Sequence, residues 1–320
     1  MHQTDNNPYC SKNVLVTGAA GYIGLSLVRR LAQSGAILRL VDLPDKKPDT
    51  PAHETLCFDI RDASHLADAA RGMDFIFHLA GQTSHFVAND NPLDDLGLNV
   101  TPAIVLLEAA RKSSRGARIV FASTATVVGP KAAMPVDENA HEAPATVYDI
   151  HKLAVEKYLD FYSKHHGVPS CALRLANVYG FGFSTPGKDR GVLNKMAVRA
   201  VRGEPLLVFG NGGWIRDYIH HDDVVEAFMC AGTASGIFNV CTGTGTRFVD
   251  AVAMVAEEAG RVTGRKPEII FQKNHKLSAI DERSYTGDPA ALQAATQWRP
   301  RITLEEGIRR LVLEATDIRP

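Results

Sequence analysis

The stretch Asn13-Val14-Leu15-Val16-Thr17-Gly18-Ala19-Ala20-Gly21-Tyr22-Ile23-Gly24 decides the fold. Its first five residues form a short apolar run, the pattern of a strand buried on both faces. Three glycines follow with the spacing G-x-x-G-x-x-G, which differs from the G-x-G-x-x-G of most dehydrogenases. Ile23, Leu27, Val28 and Leu31 then recur at helical spacing, with Arg29 and Arg30 outward, until Gly35 ends the helix. A second strand, Ile37-Leu38-Arg39-Leu40-Val41, closes on Asp42. Such glycines permit a tight turn, close approach of backbone to a pyrophosphate, and close helix-strand packing, with the phosphates at the helix N-terminus. Asp42 follows about 20 residues later, where a carboxylate accepts hydrogen bonds from the adenosine ribose. The same carboxylate repels a 2′-phosphate, and Leu43-Pro44 offers no arginine to receive one. The unit therefore reads as an NAD site.

The alternation continues outward. Leu56-Cys57-Phe58 leads into the loop Asp59-Ile60-Arg61-Asp62, placed to meet an adenine. Phe75-Ile76-Phe77-His78-Leu79-Ala80-Gly81 is a buried strand ending in small residues that let a cofactor approach. One long helix is expected from near Asp94 through Asn99 to Arg111, then a strand, Arg118 to Ala122, ending at Ser123-Thr124. Ser170 to Leu175 is the next strand. This is the α/β pattern of a Rossmann doubly wound parallel sheet. Residues 12–176 read as the NAD-binding domain, with a return segment around 214–235. Residues 177–320 read mainly as a smaller C-terminal substrate-binding α/β domain. Ligands in such sheets sit at the carboxyl ends of the strands, where Thr17-Gly18, Asp42, Ala80-Gly81 and Thr124 fall.

A helix opens at Thr146-Val147-Tyr148-Asp149-Ile150-His151-Lys152. Residues four apart share a helix face, so the Tyr148 phenol and the Lys152 ammonium project together. A tyrosine titrates near ~10, and a neighbouring cation favours the phenolate. The pair is therefore a candidate base, with Thr124 as a second hydroxyl at a strand end.

Composition narrows the class. The 320 residues are 45% hydrophobic and 22% charged with a formal net charge of −1, and no basic block marks a nucleic-acid surface. No apolar run approaches the ~20 residues of a membrane span. Met1 to Lys12 is polar, lacks a signal-peptide core and reads as a disordered lead. Five scattered cysteines have no Cys-x-x-Cys spacing and read as free thiols in a cytoplasmic protein. The paired histidines His165-His166 and His220-His221 lack partner ligands, so no metal is expected. His78 is expected as a strand residue beneath the cofactor, and His151 off the Tyr148/Lys152 face. Asp217 is expected in an ion pair with Arg216.

Together these residues resemble the extended short-chain dehydrogenase/reductase family, in particular its nucleotide-sugar epimerases and dehydratases. The resemblance rests on Gly18/Gly21/Gly24, Asp59-Ile60, His78 to Gly81, Ser123-Thr124, Tyr148 with Lys152, and Asn177-Val178-Tyr179-Gly180. Arg216-Asp217-Tyr218 and Trp298-x-Pro300 extend it over almost the whole chain. It implies that Tyr148 is the acid/base, that Lys152 holds the nicotinamide ribose, and that Thr124 positions the reacting oxygen. NAD would be held by Gly18, Ala20, Gly21, Tyr22 and Ile23, by Asp42, Asp59 and Ile60, and by Leu79, Ala80, Gly81 and Asn99. A nucleotide-diphosphate sugar, a UDP-sugar first among them, would meet Gln82, Ser84 and His85 at the sugar. Asn177 and Arg216 would lie along the diphosphate, with Leu207 and Phe209 beside the base and Val192 as a further substrate contact. Tyr285 corresponds to a bulky position that excludes N-acetyl groups in some 4-epimerases.

The resembled dehydratases carry Asp-Glu after the catalytic threonine, whereas this chain has Ala125-Thr126, as 4-epimerases do. The implied reaction is NAD-dependent epimerisation at the 4-position. A dehydratase, decarboxylase or reductase on the same scaffold is the alternative, and a non-catalytic dinucleotide sensor a more distant one. Val128 replaces the family's tyrosine, and the late diphosphate-gripping arginine has only Lys276 and Arg283 as substitutes. The family also implies a homodimer through the helices containing Asn99–Ala110 and Tyr148–Tyr162.

Overall fold

The computed structural model describes residues 7–46, 50, 52–113, 116–130, 132–182, 191–272, 280 and 282–318; Lys276 lies outside them. The chain begins β1 (Asn13–Thr17), α1 (Gly24–Gln33), β2 (Ile37–Asp42), β3 (Glu54–Cys57), α2 (Ala63–Ala69) and β4 (Phe75–His78). Next come α3 (His85–Asp90), α4 (Pro92–Asn99), α5 (Thr101–Lys112), β5 (Arg118–Thr124), a 3-10 turn (Ala125–Val128) and α6 (Val147–His166). Then follow β6 (Ser170–Leu175), β7 (Asn177–Tyr179), α7 (Val192–Val201), β8 (Leu206–Phe209), β9 (Ile215–His220) and α8 (His221–Ala231). The last elements are β10 (Gly236–Val240), β11 (Gly245–Arg247), α9 (Phe248–Thr263), β12 (Ile269–Gln272), α10 (Ala290–Thr296) and α11 (Leu304–Thr316).

Seven strands form one parallel sheet in the order β10-β6-β5-β4-β1-β2-β3. The order reverses between β1 and β4, which opens a crevice at their carboxyl ends. Register aligns those ends: Thr17 pairs with Val41 and with His78, Asp42 with Cys57, and Thr124 with Leu175. Leu27, Val28, Leu31, Phe77, Leu173 and Phe228 pack in the core on one face. Leu15, Ile76, Leu106, Phe121, Val155 and Leu159 pack on the other. A third cluster joins α7, α9 and α11 over β8 and β9. Among the described residues no helix is long and apolar enough to cross a membrane.

Two expectations are corrected. The long helix is two, α4 and α5, interrupted at Val100 (φ −109°). Pro102 has no N–H to donate and sits in the first turn of α5, where that loss costs nothing. The lead is anchored within its described part: Tyr9 is buried against Phe75 and Phe77, and its hydroxyl donates to Met229 O at 2.5 Å. Its ring needs the bare Gly232, where a Cβ would come within 1.9 Å of Tyr9 Oη. The seventh strand, Gly236–Val240, lies just past the expected return segment and completes the sheet beside β6.

Candidate active site

One cleft of about 390 Å³ runs along the strand ends, from Asp42 and the glycine loop to Tyr148 and Lys152. Its wall at the loop is set by backbone. Gly18 takes φ +70°, and a Cβ there would stand 2.7 Å from Ala80 N; one on Gly24 would stand 2.0 Å from Gly18 O. Only glycine fits either position. The Asp42 carboxylate accepts from Ala20 N and Leu43 N, both at 2.8 Å, which locks the acid at the mouth of the loop. Asp59 and Ile60 line the same end, with the Asp59 carboxylate held below its usual range by the Arg61 guanidinium. Leu79, Ala80 and Gly81 form the floor.

These features fit a dinucleotide. Asn99 is buried and donates to Gln82 O at 3.0 Å and Asp95 Oδ1 at 2.9 Å, while its Oδ1 has no partner. That orphaned acceptor faces Gly81, where a Cβ would lie 2.4 Å from it. A buried acceptor left bare is costly, and a donor on a bound cofactor answers it.

At the other end α6 carries Tyr148 and Lys152. Thr146 caps its N-terminus by accepting from Asp149 N at 3.1 Å, and Gly167 ends it in the left-handed conformation. Lys152 Nζ lies 5.8 Å from the Tyr148 ring centroid and donates to Ala122 O at 3.0 Å. Burial pushes Lys152 down to about 8, with Asp95 and Glu156 opposing that shift. Thr124 ends β5 at 7% exposure; its hydroxyl accepts from Thr126 N at 3.2 Å and lies 2.9 Å from Thr126 Oγ1. The Thr126 hydroxyl in turn donates to Asp149. His78 sits beneath the floor, Nδ1 to Thr17 Oγ1 at 2.8 Å, and burial drives it down to about 3. It is a neutral structural imidazole.

Sequence reasoning missed the polar groups that brace this end. Asp95, buried, accepts from His151 Nδ1 at 2.6 Å, Gln82 Nε2 at 3.2 Å and Asn99 Nδ2. Glu156, one turn beyond Lys152, accepts from Ser123 and pairs bidentately with Arg174, at 3.1 Å to Nε and 2.7 Å to Nη2. Both charged side chains are fully buried. The available signal was a lone charge within an apolar strand and a second at a core position of α6.

The expected substrate residues lie on several elements. Gln82 lines the cleft and folds over Ser84, whose hydroxyl caps α3. The His85 ring lies against Phe86, tilted by 36° with centroids 4.0 Å apart. Asn177 opens β7, exposed and paired in register with Tyr218, and Val192 begins α7, 52% exposed. Leu207 and Phe209 alternate with buried Leu206 and Val208, so both face away from the core. Arg216 reaches Ile215 O at 3.2 Å, beside the Trp214 ring. Tyr285 lies in a separate apolar cluster with Val127, Val128 and Val136. Asp217 does not fulfil the ion pair expected of it: fully buried, it accepts from Thr242 N, Gly243 N and Gly287 N at 2.8–3.3 Å and ties their loops to β9.

Comparison with known proteins bears on this geometry. The model of the NAD dependent epimerase/dehydratase family matches residues 14–241. A UDP-glucose 4-epimerase of Mycolicibacterium smegmatis is 32% identical over 310 residues, covering 93% of this chain and 96% of its own. The solved UDP-glucose 4-epimerase of Thermotoga maritima with UDP-glucose superposes with a TM-score of 0.85 at 30% identity, covering 95% of this chain and 99% of its own. That of Thermus thermophilus with NAD gives 0.82 at 32% identity, with the same coverage.

Proposed function

The chain belongs to the NAD-dependent epimerase/dehydratase family of extended short-chain dehydrogenases/reductases, and from that premise we propose that it inverts the 4-hydroxyl of a UDP-hexose. The observation that supports this reading is that Tyr148 and Lys152 line one end of a cleft whose other end is the glycine loop and Asp42, with Thr124 ending the strand whose Ala122 and Ser123 line it too. NAD, which the glycine loop, Asp42 and Asn99 would hold, would supply reversible hydride transfer at the sugar carbon. Tyr148 takes the hydroxyl proton and gives it back. Lys152, a buried cation beside the phenol, favours the phenolate. Thr124 holds the reacting oxygen. Leu207, Phe209, Arg216, Asn177 and Val192 receive the nucleotide diphosphate, and Gln82, Ser84 and His85 the sugar.

Purified protein incubated with UDP-glucose, UDP-galactose, the UDP-hexuronates and their N-acetyl forms, without added reductant, is expected to give one 4-epimer by NMR. No reduced nicotinamide should accumulate at ~340 nm. A 4-keto-6-deoxy product or released carbon dioxide would overturn the reaction assignment.

The reading includes a cytoplasmic homodimer. Its five cysteines are all free thiols, as a reducing compartment keeps them. Ile150, Tyr158 and Phe161 recur at helical spacing on α6 and are 40–50% exposed, while Leu93 on α4 is 81% exposed. An apolar face of this kind marks a contact surface. Phe161→Asp with Leu93→Asp is expected to shift sedimentation to that of a monomer; an unchanged dimer would place the interface elsewhere.

A further inference from the structure

Thr124 is the inner end of a hydrogen-bonded chain. Thr124 Oγ1 lies 2.9 Å from Thr126 Oγ1, and the Thr126 hydroxyl donates to Asp149 Oδ1. A hydroxyl has one hydrogen and two lone pairs. Thr126 spends its hydrogen on the carboxylate, so toward Thr124 it can only accept. Thr124 is therefore the donor in that contact, and one of its lone pairs is filled by Thr126 N. A single lone pair is left to it. The hydrogen count fixes the polarity of the whole chain, pointing from the reacting site toward Asp149.

Asp149 is built into this place. It is 2% exposed in the first turn of α6, where the helix dipole favours a carboxylate. Its N–H donates to Thr146, and its Oδ2 accepts from Ala145 N at 3.4 Å. Across from it the Arg283 guanidinium is pushed down by burial and drawn partly back by the Asp149 charge. The residue directly follows Tyr148, so one turn of one helix delivers both the phenol and this carboxylate.

We propose that Asp149, acting through Thr126 and Thr124, is a second terminus for the proton of the reacting sugar hydroxyl, parallel to Tyr148. The inference rests on the hydroxyl-oxidising reaction proposed above. As the sugar O–H breaks, its proton joins the free lone pair of Thr124. Thr124 passes its own hydrogen to Thr126, and Thr126 passes its own to the carboxylate, which becomes neutral. The O–H electron pair stays on the sugar oxygen as the carbonyl forms, and the hydride leaves the carbon as in that reaction. Reversal returns every hydrogen. Asp149 and Thr126 are positioning residues here, since neither touches the sugar. If the Thr126–Asp149 bond were only a structural cap, its loss would lower stability and leave turnover intact.

The test uses the full-length protein with NAD and UDP-glucose. Thr126→Val is expected to lower kcat about tenfold with KM within about twofold, and Thr126→Ser to restore it, a fraction of the 10²–10⁴ that acid/base catalysis supplies. The residual turnover of Tyr148→Phe is expected to fall about tenfold more when Asp149→Asn is added, which a single exit through the phenol would not produce. Equal losses in Thr126→Val and Thr126→Ser, an unchanged kcat, or a Tyr148→Phe residue indifferent to Asp149→Asn would overturn the proposal. Without substrate, the Thr126 hydroxyl proton is expected to exchange slowly, and to lose that protection in Asp149→Ala, which offers no acceptor; its persistence there also overturns the relay. If the wild type yields another oxidised product, the 4-epimerase reading fails while the same variants still read the relay on that product.

Discussion

Tyr148→Phe is expected to lower kcat about a thousandfold with the fold intact. The ring remains in the first turn of α6, Thr146 still caps the helix, and Lys152 keeps its bond to Ala122 O. What disappears is one proton acceptor within reach of the substrate hydroxyl. A positioned acid/base contributes 10²–10⁴ in rate, so the change falls in the middle of that range. Because the interaction exists only in the transition state, kcat should carry the loss and KM should stay nearly constant. Initial rates on the active UDP-hexose, with circular dichroism and cofactor content as controls, measure this. Turnover within about tenfold of wild type would remove Tyr148 from its role.

The second large effect is on stability. Glu156→Ala deletes one half of a bidentate ion pair whose two side chains have no solvent exposure. Among the described residues it leaves the Arg174 guanidinium, inside the parallel sheet, ion-paired with Glu142 alone at 2.9 Å, and it strands the Ser123 hydroxyl. Breaking a buried pair in this way costs about 3–5 kcal/mol, because the surviving charge is desolvated and uncompensated. Replacing both, Glu156→Leu with Arg174→Met, removes the charge together with its penalty and is expected to recover most of the loss. Urea unfolding midpoints at constant m-value distinguish the cases; equal losses in the single and double variants would show that packing, not charge, holds this point. The pair stands one turn from Lys152 and next to Thr124, so its loss is also expected to lower kcat.

Local features were legible in the sequence. Gly18 to Gly24, Asp42 and the Tyr148/Lys152 pair each depend on residues a few positions apart, where spacing determines geometry. The sheet followed from apolar runs that need burial on both faces. Partnerships between distant segments were not legible: Asp95 with His151, Glu156 with Arg174, and Thr126 with Asp149 join residues whose proximity only the tertiary fold creates. Each left a trace, a polar group at a position the helical or strand pattern reserves for the core. The break at Val100 was written in Pro102, and the described part of the polar lead is held by the buried Tyr9 ring together with Asn7 and Ser11 bonds to Ser34 O and Gly35 O.

The strand Gly236–Val240 bears on how the molecule is made. It is the outermost member of the sheet beside β6, yet it follows β6 by some sixty residues of the second half. During synthesis, at roughly 5–20 residues per second, the ribosome must add that stretch before the edge of β6 finds its neighbour. For those seconds the nascent chain carries an open edge of backbone donors and acceptors, the surface on which chains aggregate. Tyr9 is in the same position, because its acceptor at Met229 and its seat at Gly232 emerge on that same late segment. Beginning and late middle of the chain are therefore sealed together, and until that closure the edge of β6 is open to pairing with other chains.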